Sequence, residues 1–353
     1  MYALMTTFCP LQAALHKMWT RQLYRKVLHC HLTRSTQPHR HVSRWVKLSA
    51  VRAASTTHST GVLASLQVTQ GDHVHIRDVG HVEQVLGNIA AGGREKLQVI
   101  SDFDHTLSRS THNGVRLPMT HDLVKDSRFI SELNQKKTSE IWRYYYPREV
   151  STTLPLHEKI PLMVEFWNKI HNIFLASDLS RQAVRAIVRE NDTRLRDACD
   201  TFMSVLHKND VPLLVFSAGL GDVIHEMFEK HGLTFPNCHV VSNFMTFDDA
   251  GKVVGFSDPL IHICNKNRSV LPDDTYFLKE KERTNVILLG DSLNDLQMAD
   301  GVPQMDQILT IGYLNRHLER LQDFTEAFDI VLVQDETMDV ANAILEKIVG
   351  SDG

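Results

Sequence analysis

The stretch that most constrains this chain is residues 97–107, with the sequence LQVISDFDHTL. Its first part is apolar and predicts a buried strand, which ends at Asp102 and Asp104. Two carboxylates so close together at a buried strand end repel each other and lose hydration, so they need a cation or a shared proton. Because ligands of open α/β sheets bind beyond the carboxyl ends of the strands, the stretch predicts a site for Mg²⁺ and phosphate. The alternative is an acidic turn that only closes a strand.

Further apolar stretches predict that this strand belongs to a doubly wound parallel sheet, because strands that alternate with helices pair in parallel with helices on both faces. A helix is predicted over residues 196–208, and Asp248-Asp249-Ala250-Gly251 predicts a hairpin turn. The other predicted strands are residues 212–216, 239–242, 285–289, 308–311 and 330–333.

Residues 111–194 interrupt the alternation of strands and helices. They are rich in aromatic residues and show helical patterns at residues 161–174 and 181–188. We therefore expect a mostly helical cap, inserted into an α/β core made of residues 72–110 and 195–350. Aromatic side chains in such a cap are more often core residues than ligand contacts.

Residues 1–71 differ from the rest of the chain in charge. They hold nine Lys and Arg residues and no Asp or Glu, so residues 72–353 carry a net charge of −13 against −4 for the whole chain. Leu11, Leu15, Trp19, Leu23 and Val27 recur every fourth residue and predict a basic amphipathic helix of the transit-peptide type. A disordered tail and a mispredicted translation start are the alternatives. The acidic body argues against a nucleic-acid partner.

Polar clusters also follow two later predicted strands. Ser217-Ala218-Gly219 lies where a strand turns into a helix, where a hydroxyl and free N–H groups can hold a phosphate, although Ser217 could be an ordinary helix cap. Asp291 and Asp295 follow the strand at residues 285–289. Lys266 stands in Asn265-Lys266-Asn267 and can neutralise a phosphoryl group, although a lone Lys is usually a solvated surface group.

Together and in this order, these motifs resemble those of the haloacid dehalogenase (HAD) superfamily of phosphotransferases. Within it, the chain is most similar to the cytosolic 5'-nucleotidase III (pyrimidine 5'-nucleotidase) family. The resemblance runs from about residue 80 to residue 349, about three quarters of the chain. The stretches that carry it are DFDHTLSR, EKIPLMVEFW, FSAGLGDVI, VVSNFMTFDD, LIHICNKN, LLGDSLNDLQMADGV and FDIVLVQDET.

The resemblance implies a HAD-like core and a role for each carboxylate. Asp102 is the expected nucleophile, which forms an aspartyl-phosphate, and Asp104 is the expected proton donor to the leaving alkoxide. Mg²⁺ is the expected cofactor, held by Asp102, the backbone carbonyl of Asp104, and Asp291, with Asp295 behind them. Ser217, Ala218, Gly219 and Lys266 are the expected phosphate contacts.

Residues of the cap are expected to choose the nucleobase. The family reads the base with a glutamate, and Glu149 stands at that position in this chain. Ile170 replaces a serine, and Asp122 an asparagine, of the pyrimidine-preferring members. Trp167 is similar instead to the tryptophan of the branch that prefers 7-methylguanosine monophosphate, whose charged base can stack on indole.

We therefore expect a Mg²⁺-dependent 5'-nucleotidase that hydrolyses pyrimidine nucleoside 5'-monophosphates (cytidine and uridine) to nucleoside and phosphate. A preference for 7-methylguanosine monophosphate, another small-molecule HAD phosphatase and a non-catalytic relative are the alternatives. Five scattered cysteines without C-x-x-C spacing favour reduced thiols inside a cell. The sequence contains no run of 18 apolar residues, so it predicts no membrane span. We expect a cytoplasmic monomer, or a mitochondrial protein if residues 1–71 are a transit peptide.

Overall fold

The computed structural model describes residues 62–151, 153–271 and 275–350. The amphipathic helix predicted near the N-terminus lies outside these residues. Within them, no helix is both long enough and apolar enough to cross a membrane.

The described strands and helices mostly alternate, apart from the hairpin and run of helices between the second and fifth strands and three consecutive strands from Cys238 to Phe256. The strands are β1 (Val74–Ile76), β2 (Leu97–Ser101), β3 (Thr111–His112), β4 (Val115–Arg116), β5 (Leu213–Leu220), β6 (Cys238–Asn243), β7 (Met245–Phe247), β8 (Val253–Phe256), β9 (Asn285–Gly290), β10 (Gln307–Leu314) and β11 (Ile330–Val333). The α-helices are α1 (Val62–Ser65), α2 (Val79–Gly92), α3 (Thr120–Lys125), α4 (Glu132–Glu149), α5 (Leu156–Leu175), α6 (Arg181–Glu190), α7 (Cys199–Lys208), α8 (Gly221–His231), α9 (Thr275–Lys279), α10 (Leu321–Ala327) and α11 (Asp339–Val349).

A seven-stranded sheet with the order β1-β11-β10-β9-β2-β5-β6 forms the centre of the molecule. Its strands are parallel except β1, which pairs antiparallel with β11. Every residue of β2 and β9 is buried, as expected for mainly apolar central strands covered on both faces. Val99 faces one hydrophobic core and Ile100 the other. The predicted doubly wound parallel sheet is therefore confirmed.

Local sequence explains how the helices cover this sheet, as α2 shows. Its side chains Val82, Val85, Leu86 and Ile89 recur at helical spacing and are all buried. The carboxylate of Asp78 caps its first turn by accepting the N–H of His81 at 2.9 Å, and a glycine with φ of 70° ends it.

One predicted helix differs from the structure, and one strand was not predicted. The helix expected from residue 196 begins only at Cys199, because Arg196 turns its side chain into the core and Ala198 adopts a left-handed φ of 61°. The antiparallel edge strand β1 was not predicted, since three half-buried residues give too short a pattern to recognise.

Residues 111–194 contain the hairpin β3–β4 and the four helices α3 to α6, so the segment is helical as expected. Helix α4 packs on α5 through aromatic rings, with Trp142 edge-on to Phe166 at 4.9 Å and Tyr145 stacked on Phe166 at 5.2 Å between ring centres. The hairpin β7–β8, from outside the segment, also contacts it, since Val253 N–H donates to the Leu179 carbonyl at 3.0 Å. The exact limits of a cap domain stay a prediction.

Candidate active site

Sheet register brings three of the predicted motifs together. Strand β2 lies between β9 and β5, and Ser101 pairs with Leu289 on one side and Val215 on the other. The residues that follow these positions therefore emerge at one edge of the sheet. They include Asp102, Asp291 and Ser217, which all line one cavity of about 520 Å³.

Lys266 joins two of the predicted carboxylates in a buried ion-pair cluster. Its Nζ donates to Asp102 Oδ1 at 2.5 Å and to Asp295 Oδ1 at 2.6 Å. Burial opposes the charge of Lys266, but the two carboxylates outweigh it and raise the pKa of Lys266 above its usual value. Burial raises the pKa of Asp102 to about 6, although Lys266 acts in the opposite direction. A lysine 3% exposed is thus a fixed cation of the site, not a surface group.

The carboxylates of Asp102, Asp291 and Asp295 suit a divalent cation. One oxygen of each lies within 4.8 Å of the others. When ionised, the three carry −3 against the single charge of Lys266, and burial together with Asp102 and Asp295 raises the pKa of Asp291 well above its usual value. A hard divalent cation with oxygen ligands would relieve this repulsion.

Hydrogen bonds separate the role of Asp295 from that of Asp291. Asp295 Oδ2 accepts the backbone N–H groups of Asp291 at 3.1 Å and Ser292 at 2.9 Å, while its Oδ1 accepts Lys266. Both oxygens of Asp295 are therefore engaged by the protein. Among the described residues, no hydrogen bond engages the Asp291 carboxylate, so Asp291 is a better candidate than Asp295 to touch a metal directly, with Asp295 holding the Asp291 loop in place.

Asp104 is held apart from this cluster by Thr120. Thr120 donates its N–H to Asp104 Oδ1 at 2.9 Å and its hydroxyl to Asp104 Oδ2 at 2.8 Å. Burial and the charge of Asp102 raise the pKa of Asp104 to about 7, while the Thr120 contacts act in the opposite direction. An acid with such a pKa can give and take a proton near neutral pH.

The predicted phosphate cradle lines the cavity beside Asp104. Ser217 Oγ accepts the N–H of Gly219 at 3.0 Å, and Ser217, Ala218 and Gly219 all border the cavity. Strand β5 continues to Leu220, so these residues lie within the strand end and not at the helix start as expected. A side chain at position 219 would overlap Thr120 Oγ1 and Asp104 Oδ2, so the position requires glycine.

The far part of the cavity is aromatic and contains one acid. Trp142, Tyr146 and Glu149 lie at helical spacing on α4, so one face of this helix borders the cavity, and Trp167 of α5 stands edge-on to Trp142 at 5.7 Å. Burial raises the pKa of Glu149 to about 7. Two predicted base-reading residues, Glu149 and Trp167, therefore border the cavity. The third, Ile170, is fully buried in the hydrophobic core and is not among the residues that line it.

A stack of rings lies behind Trp167. His121 contacts Trp167 at 4.2 Å, and His171 stacks on Phe256 at 3.8 Å between ring centres. Among the described residues, His121 Nε2, His171 Nε2 and Trp167 Nε1 are buried without a hydrogen-bond partner. Burial lowers the pKa of His171 to about 4 and that of His121 well below its usual value. Both imidazoles are therefore neutral at neutral pH, and packing holds the stack together.

Sequence reasoning missed Arg196, which fixes the loop after Asp102. The Arg196 guanidinium donates to the carbonyls of Thr106 at 2.7 Å and His105 at 2.6 Å, and to Asn315 Oδ1 at 2.8 Å. It is 2% exposed and lies over the Tyr313 ring at 3.9 Å. No motif surrounds it, and its partners lie about 90 residues or more away in sequence, so only the fold shows its role.

The parallel sheet, with carboxylates and a buried lysine gathered at its strand ends, is that of the HAD-like phosphatases. The sequence model of one family, described as pyrimidine 5'-nucleotidase (UMPH-1), matches residues 105–349. The 7-methylguanosine phosphate-specific 5'-nucleotidase A of Xenopus laevis is 43% identical over 288 residues, 81% of this chain and 99% of that protein. The human 7-methylguanosine phosphate-specific 5'-nucleotidase is 42% identical over 277 residues, 78% of this chain and 92% of that protein.

A solved structure agrees with these matches. The crystal structure of cytosolic 5'-nucleotidase IIIB (cN-IIIB) bound to cytidine has a TM-score of 0.77 and 33% sequence identity, covering 82% of this chain and 98% of that one. The chain belongs to the pyrimidine 5'-nucleotidase family. It is a 5'-nucleotidase with a HAD-like fold, as the motifs predict.

Proposed function

We propose that this chain is a Mg²⁺-dependent 5'-nucleotidase that prefers 7-methylguanosine 5'-monophosphate and releases the nucleoside and phosphate. The observation that carries this proposal is the cavity that joins the cluster of Asp102, Asp104 and Lys266 to the aromatic face with Trp142 and Glu149. The named activity of the relatives from Xenopus and human supports the choice of base.

In the first step, the Asp102 carboxylate attacks the phosphorus of the substrate. The bond from phosphorus to the 5'-oxygen breaks, and this oxygen takes the proton of Asp104 and leaves as the nucleoside hydroxyl. In the second step, water attacks the aspartyl-phosphate and gives a proton to Asp104. The bond to Asp102 then breaks, which restores both carboxyl groups and releases inorganic phosphate.

The part of the cavity that contains Asp102, Asp104 and Lys266 is called the phosphate end below. Its remaining residues bind the phosphoryl group and the metal. Lys266, Ser217 and the amides of Ala218 and Gly219 bind the phosphoryl oxygens during both steps. Asp102, Asp291 and the backbone carbonyl of Asp104 would hold Mg²⁺, and Asp295 would orient them. Bound Mg²⁺ would supply the positive charge that lets an anionic carboxylate approach an anionic phosphate.

The far, aromatic part of the cavity with Trp142, Trp167 and Glu149, called the base end below, suits a positively charged purine. Stacking a cationic ring on indole gains ~0.5–2 kcal/mol, and both Trp142 and Trp167 border the cavity. Ionised Glu149 can accept hydrogen bonds from the exocyclic amine and a ring N–H of the base. Its negative charge also attracts the positive charge of the methylated ring. A neutral pyrimidine gains less from both contacts.

Preference for cytidine and uridine monophosphates is the second candidate. The related cytosolic 5'-nucleotidase IIIB was crystallised with cytidine bound, which favours this candidate. Ile170 does not line the cavity, so it is not placed to contact a base directly. That it replaces the serine of the pyrimidine-preferring members therefore does not decide between the two candidates. Rates on a set of substrates therefore separate the two candidates better than this residue does.

The test is phosphate release by the purified full chain with Mg²⁺. The substrates are the 5'-monophosphates of 7-methylguanosine, cytidine, uridine and inosine, with phosphoserine as a non-nucleotide and the Asp102→Asn variant as the blank. We expect the highest kcat/KM for 7-methylguanosine monophosphate. Faster turnover of cytidine or uridine monophosphate would support the second candidate, and turnover of phosphoserine alone would contradict both.

We also propose that the chain works as a cytoplasmic monomer. The family resemblance supports the location, and mitochondrial import directed by residues 1–71 is the alternative. Light scattering on the purified chain tests the first point. Imaging of a tagged full chain beside one that lacks residues 1–71 tests the second, since mitochondrial signal that depends on those residues would contradict a cytoplasmic location.

A further inference from the structure

Thr120 connects the inserted segment to Asp104 and to strand β5. It is 1% exposed and donates to both oxygens of Asp104, at 2.9 Å from its N–H and 2.8 Å from its hydroxyl. Its hydroxyl oxygen also accepts the N–H of Leu220 at 3.1 Å. The hydroxyl and the amide of Thr120 are therefore both directed at the centre of the site.

The two backbone N–H groups in this arrangement can only donate, so Leu220 donates to Thr120 Oγ1 and the Thr120 amide donates to Asp104. Because Thr120 Oγ1 accepts from Leu220, its own proton is available for the hydrogen bond to Asp104 Oδ2. Asp104 then receives one donor on each oxygen. Each carboxyl oxygen keeps a second direction, so the carboxyl group can still carry a transferable proton on the side away from Thr120.

The space around this contact leaves Asp104 little freedom. A side chain at position 219 would overlap both Thr120 Oγ1 and Asp104 Oδ2, so the backbone of the phosphate cradle packs directly against the pair. The ring of the next residue, His121, packs against the ring of Trp167 in the base end, with 4.2 Å between ring centres. One short stretch of the inserted segment therefore reaches both the proton donor and the base end.

We propose that Thr120 is a positioning residue for proton transfer to the leaving group. It holds the Asp104 carboxyl in the one orientation that presents its proton to the 5'-oxygen. Asp104 is contributed by the sheet edge, but the donors that orient it come from the inserted segment. This inference rests on the proposed function, in which Asp104 is the proton donor.

The experiment compares two leaving groups in the full-length protein with Mg²⁺. A nucleoside needs a proton to leave, whereas p-nitrophenolate leaves without one. Single-turnover release of nucleoside from 7-methylguanosine monophosphate is measured beside release of p-nitrophenolate from p-nitrophenyl phosphate. Single-turnover release of the leaving group isolates the first step, because this group departs as the aspartyl-phosphate forms, before that intermediate is hydrolysed.

The variants are Thr120→Val, which removes the hydroxyl with little change of shape, and Thr120→Ser, which restores it. Thr138→Val is the matched control, since Thr138 is also buried but does not line the cavity. Its hydroxyl donates to the Asn134 carbonyl over a distance of 2.9 Å. We expect Thr120→Val to slow nucleoside release about 10- to 100-fold and p-nitrophenolate release less than about 3-fold. Thr120→Ser and Thr138→Val should stay within about 3-fold of wild type for both substrates.

Asp104→Asn separates the two levels of the proposal. If this variant releases nucleoside at the wild-type rate, Asp104 is not the proton donor, and the proposed mechanism and this inference both fail. If Asp104→Asn is slow but Thr120→Val is unchanged, or if Thr120→Val slows both leaving groups equally, only the positioning role of Thr120 is overturned. KM for the nucleotide should stay within about 3-fold in Thr120→Val, because the base contacts are untouched.

Discussion

The two ends of the cavity are held together by different forces. At the phosphate end, Asp102, Asp104 and Asp295 all accept hydrogen bonds from protein donors, and Lys266 bonds two of them. At the base end, rings pack edge-on or tilted against one another, and three buried ring nitrogens lack a hydrogen-bond partner among the described residues. The phosphate end is thus preorganised by directed hydrogen bonds, whereas the base end is held in shape by ring packing. Changes at the phosphate end should alter kcat, and changes at the base end should alter the ratio between substrates.

The largest effect should come from Asp102→Asn. It keeps the size of the side chain but removes the nucleophilic charge, so kcat for 7-methylguanosine monophosphate should fall by at least about 10⁴-fold. Melting temperature should stay equal or rise, because one of three repelling carboxylates becomes neutral. Phosphate release and thermal unfolding measure the two effects. A wild-type rate would remove Asp102 as the nucleophile.

Metal removal should come next. Dialysis against a chelator should abolish turnover, and Mg²⁺ at about a hundred times Kd should restore it and raise the melting temperature by about 5 °C, since binding stabilises the folded state. Asp291→Asn should lose this shift, whereas Asp249→Asn, on the exposed turn between β7 and β8, should keep it. An identical Mg²⁺ shift in Asp291→Asn would exclude Asp291 as a ligand.

Glu149→Gln should change substrate choice and not the chemistry. We expect the ratio of kcat/KM for 7-methylguanosine to cytidine monophosphate to fall about tenfold, the value of one charge-assisted hydrogen bond. Glu140→Gln, on an exposed part of the same helix, should leave this ratio unchanged.

The effect of Glu149 should also depend on pH. Its pKa is raised to about 7, so the carboxylate is ionised above about pH 8 and gains a proton as the pH falls through 7. The advantage of wild type over Glu149→Gln should therefore be full at about pH 8 and small at about pH 6. Comparing the two proteins cancels the titration of the substrates themselves. A constant advantage across this range would show that the charge of Glu149 does not read the base.

The smallest change in substrate choice should come from Ile170→Ser. Sequence resemblance predicts a shift toward pyrimidine nucleotides, but the buried position of Ile170 predicts a change of less than about 2-fold in relative rates and a loss of about 3 kcal/mol in unfolding free energy. Val164→Ser, at an exposed position of the same helix, should cost much less. A shift of about tenfold or more toward cytidine monophosphate would mean that the base end extends to Ile170.

Prediction from sequence succeeded where local pattern and function coincide. The apolar strands and the polar residues at their ends lie next to each other in sequence, and sheet geometry then brings Asp102, Ser217 and Asp291 together. Thr120 and Arg196 escaped prediction because their partners, 16 or more residues away for Thr120 and 90 or more for Arg196, belong to no local pattern and neither residue type is distinctive. The base end was only partly predicted. The spacing of Trp142, Tyr146 and Glu149 marks one helix face, but only packing shows that this face borders the cavity. Only packing also shows that Ile170, unlike Trp167 on the same helix, does not line it.

The face of α4 has a consequence for how this protein can diversify. Trp142, Tyr146 and Glu149 lie within eight positions of one helix, and none of their described hydrogen bonds or ring contacts reaches Asp102, Asp104 or Lys266. Under the proposed function, selection can therefore explore new bases by substituting these three positions of α4 without changing a residue of the phosphate end. A small combinatorial library at these positions is the natural starting point for directed evolution of new nucleotidase specificities.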